Sequence, residues 1–157
     1  MYVSLRPGDL TLVTGGSGFL GSAVVRTLLD RGAKVRALVR PTSPRGNFSG
    51  LDCEIVVGDL TDPASLESAL QGVRYLFHVA ADYRLWAPAP AVIVRANVEG
   101  TTNLFRAALS AGVERIVYTS SVAALKVAGA TAPVDELAAL LPEEAIGTYK
   151  RSKTLAE

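Results

Sequence analysis

Tyr149 and Lys153 stand four residues apart in Tyr149-Lys150-Arg151-Ser152-Lys153, a spacing that puts both on one face of a helix. A phenol one turn from an ammonium is a proton-transfer pair. The positive charge favours the phenolate, so the tyrosine can exchange a proton with a substrate hydroxyl or carbonyl. Taken alone, the pair is a common coincidence. Upstream, Thr119-Ser120-Ser121 closes an apolar run, and a serine hydroxyl at a strand end can hydrogen-bond a reacting oxygen and orient it. Ser121 is favoured for that task over Ser120. For both, the structural alternative is a local bond between the hydroxyl and the backbone.

A phenol–ammonium–hydroxyl set gains meaning beside a redox cofactor, and Gly16-Ser17-Gly18-Phe19-Leu20-Gly21, preceded by Thr14-Gly15, supplies a place for one. It matches G-x-G-x-x-G between a predicted strand and a predicted helix, the context that dinucleotide binding demands. The glycines allow a tight turn and a close approach of the pyrophosphate. The backbone N–H groups of the helix start, around Phe19, Leu20 and Gly21, then face the phosphates. No Lys-Ser/Thr pair follows the glycines, which excludes a P-loop. In such a fold an acidic residue about 20 positions further on holds the adenosine ribose. Arg40 occupies that place in Ala37-Leu38-Val39-Arg40-Pro41. Its fork suits a 2′-phosphate, so NADP is expected in preference to NAD, with NAD use still open. Arg36 and Arg45 are expected to add positive charge there, the alternative being that all three are solvated surface.

Around these residues short β-branched runs alternate with helical stretches. Strands are expected at 10–14, 35–39, 54–57, 73–79 and 115–119. Helices are expected at 18–31 (closed by Gly32), 63–71 (capped by Asp62-Pro63), 92–111 (closed by Gly112) and from Thr148 onward. Strands apolar on both faces belong inside a covered parallel sheet. Strand–helix alternation with right-handed crossovers then predicts a doubly wound parallel α/β sheet spanning 1–157. Segments 86–90 and 129–147 read as loops, the second long enough to suggest function.

The 157 residues, 49% hydrophobic and 20% charged with net charge +1, suffice for one domain with a core. Near-neutral charge and the lack of a basic stripe argue against a nucleic-acid partner. No apolar run reaches the roughly 18 residues of a transmembrane helix, and residues 1–8 lack the plan of a secretory signal. A cytoplasmic location is the expectation. Cys53 is a single cysteine, which excludes an internal disulfide and reads as a small buried hydrophobe. His78, the one histidine, is read as a packing residue, and Asp135-Glu136 and Glu143-Glu144 as surface or caps. No metal site is expected.

In order, Thr14-Gly15-x-x-Gly18-x-x-Gly21, Gly58-Asp59-Leu60, His78-Val79-Ala80-Ala81, Asn97, Tyr118-Thr119-Ser120-Ser121 and Tyr149-x-x-x-Lys153 resemble the extended short-chain dehydrogenase/reductases, the NAD-dependent epimerase/dehydratase family, over essentially the whole chain. The resemblance implies a Rossmann fold for residues 1–157, in which Asp59 and Leu60 flank the adenine and Ala80 and Ala81 line the cofactor channel. It implies that Asn97 supports the helix beside the active site, and that Ser121, Tyr149 and Lys153 form the catalytic triad. Within the family the sequence is most similar to hopanoid-associated sugar epimerases and dihydroflavonol 4-reductases, chiefly through Ala80-Ala81-Asp82-Tyr83-Arg84-Leu85-Trp86. Tyr83, Arg84 and Trp86 are therefore candidates to border a sugar or a flavonoid-like ketone or alcohol, the alternative being that this loop packs on a further domain. Arg40 departs from the acidic residue of NAD-using sugar epimerases. Relatives continue well beyond Lys153, so the chain is expected to be the N-terminal part of a longer enzyme, inactive in isolation, with homodimerisation possible in the whole. Reduction with net cofactor turnover and epimerisation without it share this machinery. The competing class is a non-catalytic nucleotide sensor or scaffold, which such proteins usually betray by lacking the tyrosine or lysine.

Overall fold

A computed structural model of the chain describes residues 4–127, 129 and 131–157. In chain order the elements are β1 (Leu10–Thr14), α1 (Phe19–Asp30), β2 (Lys34–Val39), β3 (Glu54–Val57), α2 (Pro63–Leu70), β4 (Tyr75–His78), α3 (Ala91–Val94), α4 (Gly100–Ser110), β5 (Arg115–Tyr118) and α5 (Thr148–Ala156). A π turn, Arg95–Glu99, joins α3 to α4, and 3-10 turns lie at Gly46–Phe48 and Val122–Ala124. Sequence periodicity merges α3, the π turn and α4 into one expected helix. The inserted i→i+5 turn preserves helical direction, so the apolar pattern hides it. The other expected boundaries shift by one or two residues. Segment 129–147 is irregular wherever it is described (Ala130 lies outside the described residues), apart from an isolated Leu125–Ala139 bridge.

Contacts divide the chain into two compact units, Met1–Ala80 with Asn103–Thr119, and Ala81–Thr102 with Ser120–Glu157. The first unit holds a five-stranded sheet of order β3-β2-β1-β4-β5, parallel at every pairing. Strand alternation sends Leu12, Leu38 and Leu76 to one face, where they pack with Leu66 and Leu70 of α2 and Leu104 and Ala108 of α4. Val13, Val35, Ala37 and Val39 go to the other face and meet Val25 and Leu28 of α1 and Phe48. The sheet is thus covered on both faces, as a doubly wound parallel fold requires. The outer strands are the exception, for Val57 of β3 and Val117 of β5 are exposed. Cys53 lies half-buried against the α1-side core, and that burial pushes its thiol up from the ordinary value.

Local chemistry explains the ends. Asp62 caps α2 by accepting from the Ala64 N–H, with Pro63 in the first turn. Gly32 and Gly112 take left-handed conformations after α1 and α4. At the N-terminal strand ends Arg74 donates to both Asp9 oxygens and to Glu114, tying the residue preceding β1 to those preceding β4 and β5. Arg36 does not stand beside Arg40 at the C-terminal end of β2, contrary to the sequence expectation. Its Nε donates to Glu54 at 2.8 Å and its NH1 to the carbonyls of Ala69 and Gln71. It lies four strand positions before Arg40, about 13 Å back along the strand, and there it closes the C-terminus of α2.

In the second unit α5 packs against α3, the π turn and the 122–124 turn. Ile93, Ala87, Ala123 and Ala124 are buried there.

Candidate functional site

The glycine turn lies in the first unit and follows β1 directly. Gly15 has φ +71°, and a Cβ on it would sit 2.8 Å from the Ala80 nitrogen. At Gly21 a Cβ would lie 2.1 Å from the Gly15 carbonyl oxygen. The chain just past β4 crowds Gly15 and the turn itself crowds Gly21, so only glycine fits at either position. The Gly18 N–H donates to Gly15 O, and the Ser22 N–H closes the first helical bond to Gly18 O. Phe19, Leu20 and Gly21 supply the N–H groups that a helix start leaves without intrahelical acceptors. Phe19 is 96% exposed. A side chain in the next loop steadies the turn: Asn47 donates to Ser17 O at 2.8 Å, and Arg26 to Asn47 O at 3.2 Å. Nothing in the spacing of Asn47 announces that role.

Further residues of the same unit gather at the C-terminal strand ends. Arg40 is exposed just past β2, its N–H donating to Ser43 Oγ. Arg45 is exposed in the following loop. Gly58 follows β3, where a Cβ would meet Leu38 and Ser65 at 2.9 Å. Asp59 Oδ1 then accepts from the Thr61 N–H and hydroxyl, which fixes the turn that follows β3. Leu60 leans on the core while its carbonyl accepts from Asn103.

Thr14 and His78, which nothing in the sequence links, join the C-terminal ends of the parallel neighbours β1 and β4. Thr14 Oγ1 accepts from the N–H groups of Val79 (3.2 Å) and Ala80 (3.1 Å) and lies 2.7 Å from His78 Nδ1. With both hydroxyl lone pairs taken, its proton goes to Nδ1, which assigns the imidazole proton to Nε2. The ring is fully buried, stacked on Tyr118 at 5.4 Å and edge-on to Phe105 at 5.8 Å. These are packing contacts of the ring. Through Thr14 it fixes Ala80, one of the channel candidates.

The second unit carries the proton-transfer candidates. Tyr149 and Lys153 lie one turn apart on α5. Lys153 is 2% exposed, and this burial pushes its ammonium below the ordinary lysine value, with the Glu157 carboxylate partly opposing the shift. A buried cation acts on neighbouring charge through a low effective dielectric, more strongly than one in water. Ser152 between them is fully buried, donating to Tyr149 O at 2.7 Å and accepting from Asn97 Nδ2 at 2.9 Å. Asn97, in the π turn, also takes both backbone groups of Asp82: the Asp82 N–H donates to Oδ1 at 2.7 Å and Nδ2 donates to Asp82 O at 2.9 Å. One buried amide thus pins α5, the π turn and the chain entering the 83–86 loop. The resemblance implied support by Asn97 without indicating Ser152 and Asp82 as its partners.

Of the two serines, Ser120 is exposed and bonds the Glu157 carboxylate, whereas Ser121 caps the 122–124 turn by accepting from the Ala123 N–H at 3.1 Å. That bond uses an acceptor lone pair and leaves the Ser121 hydroxyl proton to give. Ala81 is exposed. Tyr83 and Trp86 are exposed, and Arg84 is ion-paired with Asp82 at 2.5 Å. Asp135 accepts from the Leu137 N–H, and Glu144 pairs with Lys126, as solvated surface carboxylates do.

The NAD dependent epimerase/dehydratase family profile matches residues 11–157. A Synechocystis protein named "Putative dihydroflavonol 4-reductase" is 48% identical over 149 residues, covering 95% of this chain and 43% of that protein. The crystal structure of gox2253 aligns with TM-score 0.88 at 56% identity, over 95% of this chain and 45% of that one. An Agrobacterium tumefaciens short-chain dehydrogenase/reductase superfamily protein, solved with bound NAD, aligns at TM-score 0.70 and 32% identity over 94% of this chain and 43% of that one. The chain spans less than half the length of these proteins.

Proposed function

The chain belongs to the NAD dependent epimerase/dehydratase family, and from that premise we propose that it carries the cofactor-binding and proton-transfer segments of an NADP-preferring oxidoreductase or epimerase. The reaction is hydride transfer at a carbonyl or carbinol carbon of a small ring-bearing or sugar substrate. The observation that carries this reading is Lys153, a lysine buried to 2% exposure one turn beyond Tyr149. A cation so placed, one turn from a phenol, can stabilise the negative charge left on the phenol oxygen when a proton leaves.

The turn after β1 fits a dinucleotide, since its glycines leave no room for a Cβ at Gly15 and Gly21 and bare the N–H groups of the helix start. Gly15, Gly18, Phe19, Leu20 and Gly21 would hold the pyrophosphate, Arg40 the 2′-phosphate, Asp59 and Leu60 the adenine, and Ala80 and Ala81 the walls of the channel. Bound there, a nicotinamide cofactor supplies or accepts the hydride. The chain's own residues handle the rest. Ser121 donates its hydroxyl proton in a hydrogen bond to the substrate oxygen. Tyr149 gives that oxygen a proton in reduction and takes one in oxidation. Lys153 stabilises the negative charge on the phenol oxygen as the proton leaves. Asn97, through Ser152, holds the helix that carries both.

The test is Tyr149→Phe, which keeps the ring and removes the proton. In NADPH-consumption assays of the intact protein with ketone substrates, turnover should fall about 10²- to 10⁴-fold, with NADPH affinity within about twofold of wild type. A variant that keeps more than a tenth of the rate refutes the assignment of Tyr149. Net NADPH consumption marks a reductase, and interconversion of substrate epimers without it marks an epimerase.

A further inference from the structure

The 83–86 loop combines two features that do not usually share a surface. Tyr83, Leu85 and Trp86 are 77%, 81% and 75% exposed, while the one cation among them is already engaged. Arg84 donates from Nε to Asp82 Oδ1 at 2.9 Å and from NH2 to Oδ2 at 2.5 Å, and its backbone N–H reaches Oδ1 at 3.2 Å. Such a bidentate fork is the strong form of the carboxylate–guanidinium bond. Asp82 is itself held, its backbone N–H and carbonyl both bonded to the buried Asn97 amide. Its side chain is only 16% exposed against 54% for Arg84. The carboxylate is therefore the fixed partner and the guanidinium the one brought to it. An anionic ligand seeking Arg84 would have to displace a carboxylate two residues away in the chain, present at very high effective concentration.

We infer that Asp82 is a specificity-determining residue: by occupying the fork of Arg84 it leaves the 83–86 loop an uncharged apolar surface, which selects a neutral ring-bearing carbonyl or alcohol over an anionic nucleotide sugar. This rests on the oxidoreductase reading above. Tyr83 and Trp86 supply flat faces for a ring, and the neutralised ion pair supplies no attraction for a diphosphate. Charge complementarity thus points to a neutral occupant.

The indole N–H resonance of Trp86, assigned in a ¹⁵N correlation spectrum by its loss in Trp86→Phe, reports on this loop. We would titrate wild type, Asp82→Asn, Arg84→Met and the double variant with 4-chromanone, a neutral bicyclic ketone, and with UDP. The wild-type resonance should move with 4-chromanone and stay in place with UDP. Asp82→Asn should gain at least tenfold in UDP affinity, and the double variant should lose that gain. Arg84→Met should bind 4-chromanone within threefold of wild type. The inference is overturned if UDP moves the wild-type resonance as readily as the ketone, or if the ketone does not move it. It also falls if a well-dispersed Asp82→Asn spectrum shows no UDP gain, or if Arg84→Met loses the ketone tenfold. NADPH binding, read by nicotinamide fluorescence on the same samples, tests the oxidoreductase reading separately, since NADPH bound with a failed ketone response refutes the loop assignment alone.

Discussion

Gly21→Ala adds one methyl group at the most crowded point of the glycine turn. Its carbon would fall 2.1 Å from the Gly15 carbonyl oxygen and 2.6 Å from the Gly15 carbonyl carbon. Carbon and oxygen come no closer than about 3.3 Å without strain, so the turn must open by about 1.2 Å. Both obstructing atoms are backbone, and no rotamer change relieves them. A hydrogen bond of about 2.9 Å stretched by that amount is no longer one. A bond from a backbone N–H to a charged phosphate contributes about 1.5–3 kcal/mol. Losing one such bond corresponds to about a 10- to 150-fold weaker complex. The assay is titration with NADPH by nicotinamide fluorescence, run well below the melting temperature of the ligand-free variant so that lost affinity is not lost fold. Gly46→Ala is the control: a Cβ there meets nothing within 4 Å, and affinity should stay within about twofold. A folded Gly21→Ala protein that binds NADPH within threefold of wild type would refute the pyrophosphate role of the turn.

Arg40→Ala should weaken NADPH by about 10- to 150-fold through loss of a charge-assisted fork while leaving NADH unchanged, and an equal effect on both cofactors would remove the 2′-phosphate assignment. Lys153 titrates in the folded protein below its unfolded value of 10.5, so between the two values the unfolded chain binds more protons and native stability rises with pH. Burial thus destabilises most below the folded value, where the lysine is charged in both states. The stability advantage of Lys153→Met over wild type in urea denaturation should shrink as pH climbs toward 10.5, and an advantage independent of pH would contradict the burial effect. Leu104→Ala opens a cavity at a fully buried position between α4 and the sheet and should cost about 2–5 kcal/mol in urea unfolding; a cost under about 1 kcal/mol would mean that the site collapses to fill it.

Much of the architecture was legible because its signals are local. β1 through β5 are apolar runs bounded by turn residues. Asp62-Pro63 caps a helix by side-chain chemistry that needs no distant partner. Gly32 and Gly112 mark helix ends because the left-handed conformation is cheap only for glycine. The glycine turn was legible for a related reason, since close backbone approach excludes a Cβ whatever lies around it. The π turn at Arg95–Glu99 was not legible, since one extra residue in a helical turn leaves composition untouched.

What the sequence by itself determined is the set of elements, the parallel order that alternating strands and helices enforce, and the residue types able to bind a dinucleotide and move a proton. What only tertiary structure decided is which polar side chains remain available. Arg36 and Arg40 look alike in the chain, yet register pairs Arg36 with Glu54 and leaves Arg40 exposed past the strand end. Ser120 and Ser121 are adjacent, yet the first is spent on Glu157 and the second keeps its proton. Asn97 meets Asp82 and Ser152 across 15 and 55 residues, and Lys153 becomes a buried cation only because α5 docks on the π turn. Hydrogen bonds and desolvation depend on separations of a few ångströms between residues remote in sequence. Spacing along the chain does not encode those distances until the core has closed.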